Sequence, residues 1–279
     1  MTSSPKVSVV LATLNRASYL KRMLDNLLRN QYANLEIIVV DGGSTDGTVK
    51  LLESYDEGVI HWISERDSGE YYALNKGLRM ATGEIIKLMT DDDVLRPDCF
   101  RWAVDYLLAH PDVDIVFGQT AYWKEEAGRN QFLHESCMMS PERLTVRHWV
   151  RETQGVSSLS SFVRRRVFDR IGLLATKYAC GDVEFWTRAA SRGVGMGLIP
   201  QVVVDYFITG ENGVIRKRWK IASDMVAINA TYGNAADVVN CLWRRYPQHL
   251  LVLVLSPLGL HPLRKWRRWK ADSARWLSS

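Results

Sequence analysis

The stretch Glu36-Ile-Ile-Val-Val-Asp-Gly-Gly-Ser-Thr-Asp-Gly-Thr48 decides how the chain folds. Ile37 to Val40 is too short for a helix, and its β-branched side chains suit a strand covered on both faces. Asp41 ends the run. The glycines behind it let backbone pass close to a ligand, and Thr45 or Asp46 is placed to cap a following helix. The loop has neither the Gly-Lys-Ser/Thr ending of a P-loop nor the Gly-x-Gly-x-x-Gly spacing of a dinucleotide site. In isolation it also reads as a plain strand-to-helix turn.

Similar short apolar runs lie at Val7 to Ala12, Val59 to Ile63, Ile85 to Met89 and Ile115 to Gly118. Between them residues recur at helical spacing: Tyr19, Leu20, Met23, Leu24, Leu27 and Leu28; Val49, Leu52 and Tyr55; Ala73, Leu74, Gly77 and Leu78; and Phe100 to Leu108. Alternating strand and helix predicts an α/β, Rossmann-like, mostly parallel sheet flanked by helices. Gln119 to Val156 reads as irregular, with a strand near Ala121 to Trp123. Helices are expected at Arg164 to Ile171 and Asp182 to Ser191, a strand at Val202 to Tyr206, and helices again in the C-terminal part.

At 47% hydrophobic and 24% charged residues, the composition is that of an ordinary globular protein. The four cysteines, Cys99, Cys137, Cys180 and Cys241, form no Cys-x-x-Cys pair, which excludes a disulfide framework or a structural zinc site. The histidines show no triad context. The N-terminus lacks the regions of a secretory signal, so a cytoplasmic location is expected. Net charge is +5, with Arg264, Lys265, Arg267, Arg268, Lys270 and Arg275 crowded near the C-terminus.

Ligands of such sheets bind beyond the carboxyl ends of the strands. Those ends read Ala12-Thr-Leu-Asn-Arg16, Asp41 to Thr48, Ser64-Glu-Arg-Asp-Ser-Gly69 and Thr90-Asp-Asp-Asp93, so polar chemistry converges on one edge. Three carboxylates after a strand suit a hard divalent cation, Mn2+ or Mg2+, that neutralises a diphosphate. They equally suit a solvated turn or helix cap.

These segments, in this order and with Ala73-Leu-Asn-Lys-Gly77 and Ala81-Thr-Gly-Glu84 between them, resemble the family 2 glycosyltransferases of GT-A fold. A later stretch, Phe162 to Gly172 followed by Gly181-Asp-Val-Glu-Phe-Trp-Thr-Arg188, resembles the family's acceptor-side helix. Only the C-terminal quarter lies outside the likeness. The resemblance implies an inverting, metal-dependent transfer of a hexose from a nucleotide-sugar, chiefly a UDP-sugar, to a glycan or lipid-linked saccharide in cell-surface polysaccharide assembly. It places Thr13, Asn15 and Arg16 at the nucleotide, Asp41 at the base with Ser44 close by, and Arg66 and Asp67 beside base and ribose. Lys76 either approaches the donor or is a solvated helix lysine. The family's usual acid is Thr90 here, so Asp92 and Asp93 are expected nearest diphosphate and metal, with Asp91 as an uncertain third. Asp182 matches the catalytic base, against the alternative of a helix N-cap.

The expected organisation is a GT-A domain over 1–213, with a nucleotide-sugar half at 1–118 and an acceptor half at 119–213. A helical, basic extension follows at 214–279. Leu250 to Leu260, interrupted by Pro257, falls short of the roughly 20 apolar residues of a spanning helix. With the basic, tryptophan-bearing end it is either a peripheral membrane contact or a core-packing helix with a solvated tail. Nucleic acid is not an expected partner. Competing functions are nucleotidyl transfer to a sugar phosphate, whose glycine-rich Arg/Lys loop after the first strand is missing, and a non-catalytic nucleotide-binding module.

Overall fold

The computed structural model describes residues 4–56, 58, 60–126, 129–136, 144–146, 149, 158–209 and 217–245. In chain order these form β1 (Val7–Thr13), α1 (Ala17–Leu28), β2 (Leu35–Asp41), α2 (Thr48–Leu52), β3 (Ile60–Ser64), α3 (Glu70–Met80), β4 (Ile85–Thr90), β5 (Val94–Leu95) and α4 (Cys99–Ala109). Then come β6 (Ile115–Glu126), β7 (Arg129–Glu135), β8 (Ser161–Arg164), α5 (Arg165–Ile171), α6 (Gly181–Ser191), β9 (Met196–Ile208), α7 (Arg218–Tyr232) and α8 (Ala235–Arg245).

The strands make one sheet in the order β3-β2-β1-β4-β8-β6-β9-β5, with β7 on β6. β1 is parallel to β2 and β4, and β2 to β3. β8 opposes both β4 and β6, so β6 runs with β4, and β9 runs with β6. Six strands thus share one direction, and β5, β7 and β8 oppose it. The sheet is mostly parallel, as expected, and the ends of β1 to β4 lie along one edge.

Two cores explain why the strands read as continuous apolar runs. Val7, Val9 and Leu11 face one core with Leu20, Met23, Leu24 and Leu27 of α1 and Phe100 and Val104 of α4. Val10 and Ala12 face the other, with Ala73, Leu74 and Leu78 of α3 and Phe185 and Trp186 of α6. Alternate side chains of one strand point to opposite faces, and both faces are covered. Leu28, expected on the buried stripe of α1, is exposed. Tyr55 lies beyond α2 but still packs against the first core. Gly77 lets α3 settle on the sheet, since a Cβ there would lie 2.4 Å from Val10 Cγ1.

The irregularity expected over Gln119 to Val156 is corrected for its first part, while residues 137–143, 147–148 and 150–156 lie outside the described residues. β6 runs on to Glu126 and returns as β7, six pairs in antiparallel register. Every residue of β7 but Leu133 is exposed, so it carries no apolar alternation for a sequence pattern to catch. β9 extends well beyond the expected Val202 to Tyr206 because it continues through Pro200. Cys99, Cys180 and Cys241 are buried free thiols; Cys137 lies outside the described residues. α7 and α8 pack against the segment before α6, through Met225, Ile228 and Cys241 around Cys180. Among the described residues no helix is long and apolar enough to cross a membrane. Leu250 to Leu260 and the basic end lie outside the described residues.

Candidate active site

The loops after β1 and β2 brace each other. Asn15 adopts φ 54°, a left-handed conformation that asparagine tolerates. Its side-chain oxygen accepts the Thr45 N–H at 2.7 Å, and its own N–H donates to Ser44 Oγ at 2.6 Å. Asp46 accepts the first N–H of two helices, from Ala17 of α1 and Thr48 of α2, both at 3.0 Å. It thereby satisfies donors that helix starts leave open, although Gly47 occupies the N-cap position itself.

Asp41, fully buried, accepts Ser44 N–H at 2.9 Å, Gly43 N–H at 3.2 Å and Ser64 Oγ–H at 2.5 Å, and also the Ser44 hydroxyl. It joins the ends of β2 and β3 and fixes the shape of the glycine loop. Arg66 and Asp67 lie against that loop: a Cβ on Gly43 would meet Arg66 Cγ at 3.1 Å, and one on Gly42 would meet Asp67 Oδ2 at 3.1 Å. Lys76 is paired with Glu65 at 2.8 Å.

At the end of β4 the three aspartates are all buried. Arg16 Nη1 lies 3.1 Å from Asp91 and 3.0 Å from Asp92, and Thr13 donates to Asp91 at 2.6 Å. Burial pushes the Asp91 carboxyl up to about 6 against the pull of Arg16 and Thr13. Arg16 Nε and Nη2 are buried donors without a hydrogen-bond partner among the described residues, while its guanidinium covers Tyr19 at 4.5 Å. Asp93 faces otherwise: its oxygens accept Phe207 N–H at 3.2 Å and Thr90 Oγ–H at 3.1 Å. Burial, then the neighbouring Asp92, holds its carboxyl well above the usual range. Thr90, where the family usually has an acid, therefore serves Asp93.

Asp182 lies in the first turn of α6, but Cys180 holds the N-cap position, and its side chain makes no capping hydrogen bond among the described residues. The Asp182 carboxylate instead accepts the Tyr71 hydroxyl at 2.8 Å. Gly181 makes this approach possible, since a Cβ there would lie 2.7 Å from Ala175 O and 3.1 Å from the Tyr71 ring. Two residues on, Glu184 pairs with Arg188 at 3.1 Å and accepts the Tyr232 hydroxyl at 2.6 Å, which ties α6 to α7. Asp182 shares a pocket with Glu70, Tyr71, Thr90, Leu159 and Trp186.

Glu70 lines that pocket and is exposed. Desolvation against the pocket wall, then the charge of Asp182, shifts its carboxyl upward, and Asp92 and Asp91 add to the effect. One side chain thus senses both the expected base and the expected donor-side carboxylates. Glu70, Tyr71 and Arg22 escaped the sequence reading. Arg22, whose Nη2 donates to Asp92 O at 2.6 Å, sits among the polar positions of α1 like any surface arginine. Tyr71 lies at helical spacing from Leu74 and Leu78 of α3, where periodicity assigns it to the core.

Among the described residues no three His, Cys, Asp or Glu side chains cluster as a metal site. Asp91 and Asp92 do fit a cation held by one or two carboxylates with the remaining positions filled by phosphate and water, and a single guanidinium already bridges them in the place of counter-charge.

A fold of this kind, with a buried aspartate run at the end of the fourth strand and a carboxylate across the cleft, is a GT-A transferase architecture. It is similar over 98% of the chain to the mannosyltransferase PcManGT of Pyrobaculum calidifontis, solved in complex with GDP-Man and Mn2+ (TM-score 0.66, 22% identity, 81% of that chain). It is also similar to S. aureus TarS 1-349 in complex with UDP-GlcNAc (TM-score 0.64, 15% identity, 86% of this chain and 73% of that one). Residues 8–172, more than half of the 279, match glycosyl transferase family 2, and the chain belongs to that family. An uncharacterized glycosyltransferase of Mycobacterium tuberculosis is 29% identical over 193 residues, 68% of this chain and 71% of that protein. A PGL/p-HBAD biosynthesis glycosyltransferase of Mycobacterium bovis is 31% identical over 122 residues, 42% of this chain and 47% of that protein.

Proposed function

We propose that this glycosyltransferase moves a hexose from a nucleotide-sugar, foremost a UDP-sugar, to a hydroxyl of a glycan or lipid-linked saccharide, with inversion at the anomeric carbon. The observation that carries the reading is the placement of Asp182, held by the Tyr71 hydroxyl in a pocket that Thr90, at the end of β4, also lines. Asp182 takes the proton of the acceptor hydroxyl while its oxygen attacks the anomeric carbon, and the bond to the nucleoside diphosphate breaks on the opposite face. Tyr71 keeps the carboxylate aimed at the cleft.

On the donor side, Asn15, Asp41 and Ser44 shape the loops that receive the nucleotide, with Thr13, Arg66, Asp67 and Lys76 around them. The open Nε–H and Nη2–H of Arg16 are available to phosphate oxygens. Asp92, with Asp91, is the pair that would hold Mn2+ or Mg2+, a cation that neutralises charge on the departing diphosphate. Asp93 belongs to this group by sequence, and its engagement with Phe207 and Thr90 gives it a bracing role as well. Most of the rate enhancement then comes from positioning and fixed charge. Support for the substrate class comes from the sugar nucleotides in the two structural neighbours and from the PGL/p-HBAD biosynthesis in a relative's name.

The test is transfer and hydrolysis across UDP-, dTDP- and GDP-sugars with Mn2+, Mg2+ or EDTA, for the wild type and Asp92→Ala. Turnover of one donor that EDTA and Asp92→Ala both abolish supports the proposal. Nucleotide binding without turnover of any donor makes the chain a binding module instead.

A further inference from the structure

Transfer itself leaves one prominent feature of the cleft unused. On the β6–β9 part of the sheet, Tyr122 stands in register with Tyr206 of β9 on one side and with His134 of β7 on the other. Side chains in register on neighbouring strands rise from the same face. His134 stacks on Tyr122 with centroids 4.8 Å apart and planes 16° apart, and Tyr206 meets Tyr122 edge to face at 5.6 Å. The next register position of β6 gives a second row, with Trp123 against Phe207 of β9 and, across a register shift that skips Leu133, against Phe132 of β7. That second row is engaged by α1, whose Arg22 lies over Phe207 at 4.8 Å.

The first row stands beside the site: Phe207, the residue after Tyr206, donates its N–H to Asp93 at 3.2 Å, Asp93 accepts the Thr90 hydroxyl at 3.1 Å, and Thr90 lines the pocket of Asp182 and Glu70. Tyr122 and Tyr206 are half-buried, and His134 is exposed. Glu70 has no hydrogen bond or ion pair among the described residues, although Lys217 acts on it at longer range. The nucleotide loops follow β1, β2 and β3, at the other end of the sheet, with the aspartates of β4 between them and this row. The aromatic row thus lies next to the pocket that Glu70 and Asp182 line, joined to it through Asp93 and Thr90.

We propose that Glu70 and the Tyr206–Tyr122–His134 row form the acceptor subsite, and that they recognise a saccharide ring rather than a lipid or protein hydroxyl. A pyranose presents an apolar face of C–H groups, which aromatic rings cover, and an edge of hydroxyls, which a carboxylate accepts. A largely apolar wall with a few placed polar groups is the usual make-up of a small-ligand site. The orientation of the ring against Tyr122, with Glu70 accepting from its hydroxyls, would select which hydroxyl reaches Asp182. The inference rests on Asp182 being the base of the transferase proposed above.

Saturation-transfer NMR on the full chain with UDP tests it, using methyl glycosides of glucose, galactose, mannose and N-acetylglucosamine as probes. The wild type is expected to saturate ring protons of at least one glycoside. Tyr122→Ala and Glu70→Gln should each weaken that affinity by about tenfold, the loss of one good contact, with UDP affinity unchanged. His134→Ala, which removes only an exposed ring, supplies the same readout if Tyr122→Ala does not fold. Glycoside signals that persist in these variants, that no probe shows in the wild type, or that fall only together with UDP affinity overturn the subsite. Because turnover does not enter this readout, the two proposals fail separately. A protein that binds glycosides through the row yet transfers no sugar removes the transferase reading, and one that transfers sugar without row-dependent binding removes the subsite.

Discussion

Glu36→Gln removes one charge from an inconspicuous part of the β1–β2 region, and the structure sets its cost. Glu36 lies on β2 with its side chain 6% exposed. Burial alone would raise its carboxyl. The hydroxyls of Ser8 and Thr82, the Thr82 N–H at 2.8 Å and Lys6 at 2.9 Å outweigh burial and bring it down to about 2 from 4.5. Folding depresses the value, so the contribution is fully present above the unfolded value of 4.5 and is lost as pH falls toward 2. At about 1.4 kcal/mol per unit, that gap corresponds to about 3 kcal/mol at neutral pH. Glutamine keeps the shape but turns an NH2 toward groups that donate, leaving at least one buried donor unsatisfied. Urea unfolding of both proteins at pH 7 and pH 3 should give a deficit of about 2–3 kcal/mol for the variant at pH 7, and a clearly smaller one at pH 3. An equal deficit at both pH values, or none at pH 7, would show that the charge of Glu36 does not hold β1, β2 and the turn before β4 together.

Three further substitutions test other joints of the structure. Gly77→Ala places a methyl 2.4 Å from Val10 Cγ1 and 3.3 Å from Val40 Cγ2, and overpacking of this kind costs about 1–3 kcal/mol despite alanine's better helix propensity. A melting temperature equal to or above wild type would contradict the close packing of α3 on β1. Asp46→Ala frees the first N–H of both α1 and α2 and should cost about 1 kcal/mol, together with weaker UDP binding by calorimetry. Unchanged binding would separate Asp46 from the shape of the donor loops. Tyr232→Phe deletes the hydroxyl that Glu184 accepts, and should lower stability by about 1–2 kcal/mol in urea titration. A neutral result would mean that apolar packing around Cys180 alone docks α7 on α6.

How far the sequence could be read depended on whether each residue's role was local. Val9 and Val10, Ile37 and Ile38 announce strands covered on both faces because each neighbour pair feeds a different core. The ends of β1, β2 and β4 were legible because their polar residues follow short apolar runs and keep a family's spacing. The β6–β7 hairpin was not, since β7 is exposed and its partner continues past the buried segment without a break in composition. Within the site, the division of labour among Asp91, Asp92 and Asp93 is invisible in three identical letters. It is set by Arg16 and Thr13 on one side and by Phe207, far along the chain, on the other. Tyr71 and Glu70 were missed for the same reason, because what gives them meaning is the approach of Asp182, a contact 111 residues away.

The central claim is that Asp182 takes the proton in an inverting transfer. Its most direct test is the transfer rate of Asp182→Asn beside the wild type, with saturating donor and the anomeric configuration of the wild-type product read by proton NMR. The account predicts an inverted product and a rate about 10²–10⁴-fold lower in the variant, with nucleotide affinity preserved. A variant that transfers sugar at the wild-type rate, or a product that retains the donor's configuration, would contradict it.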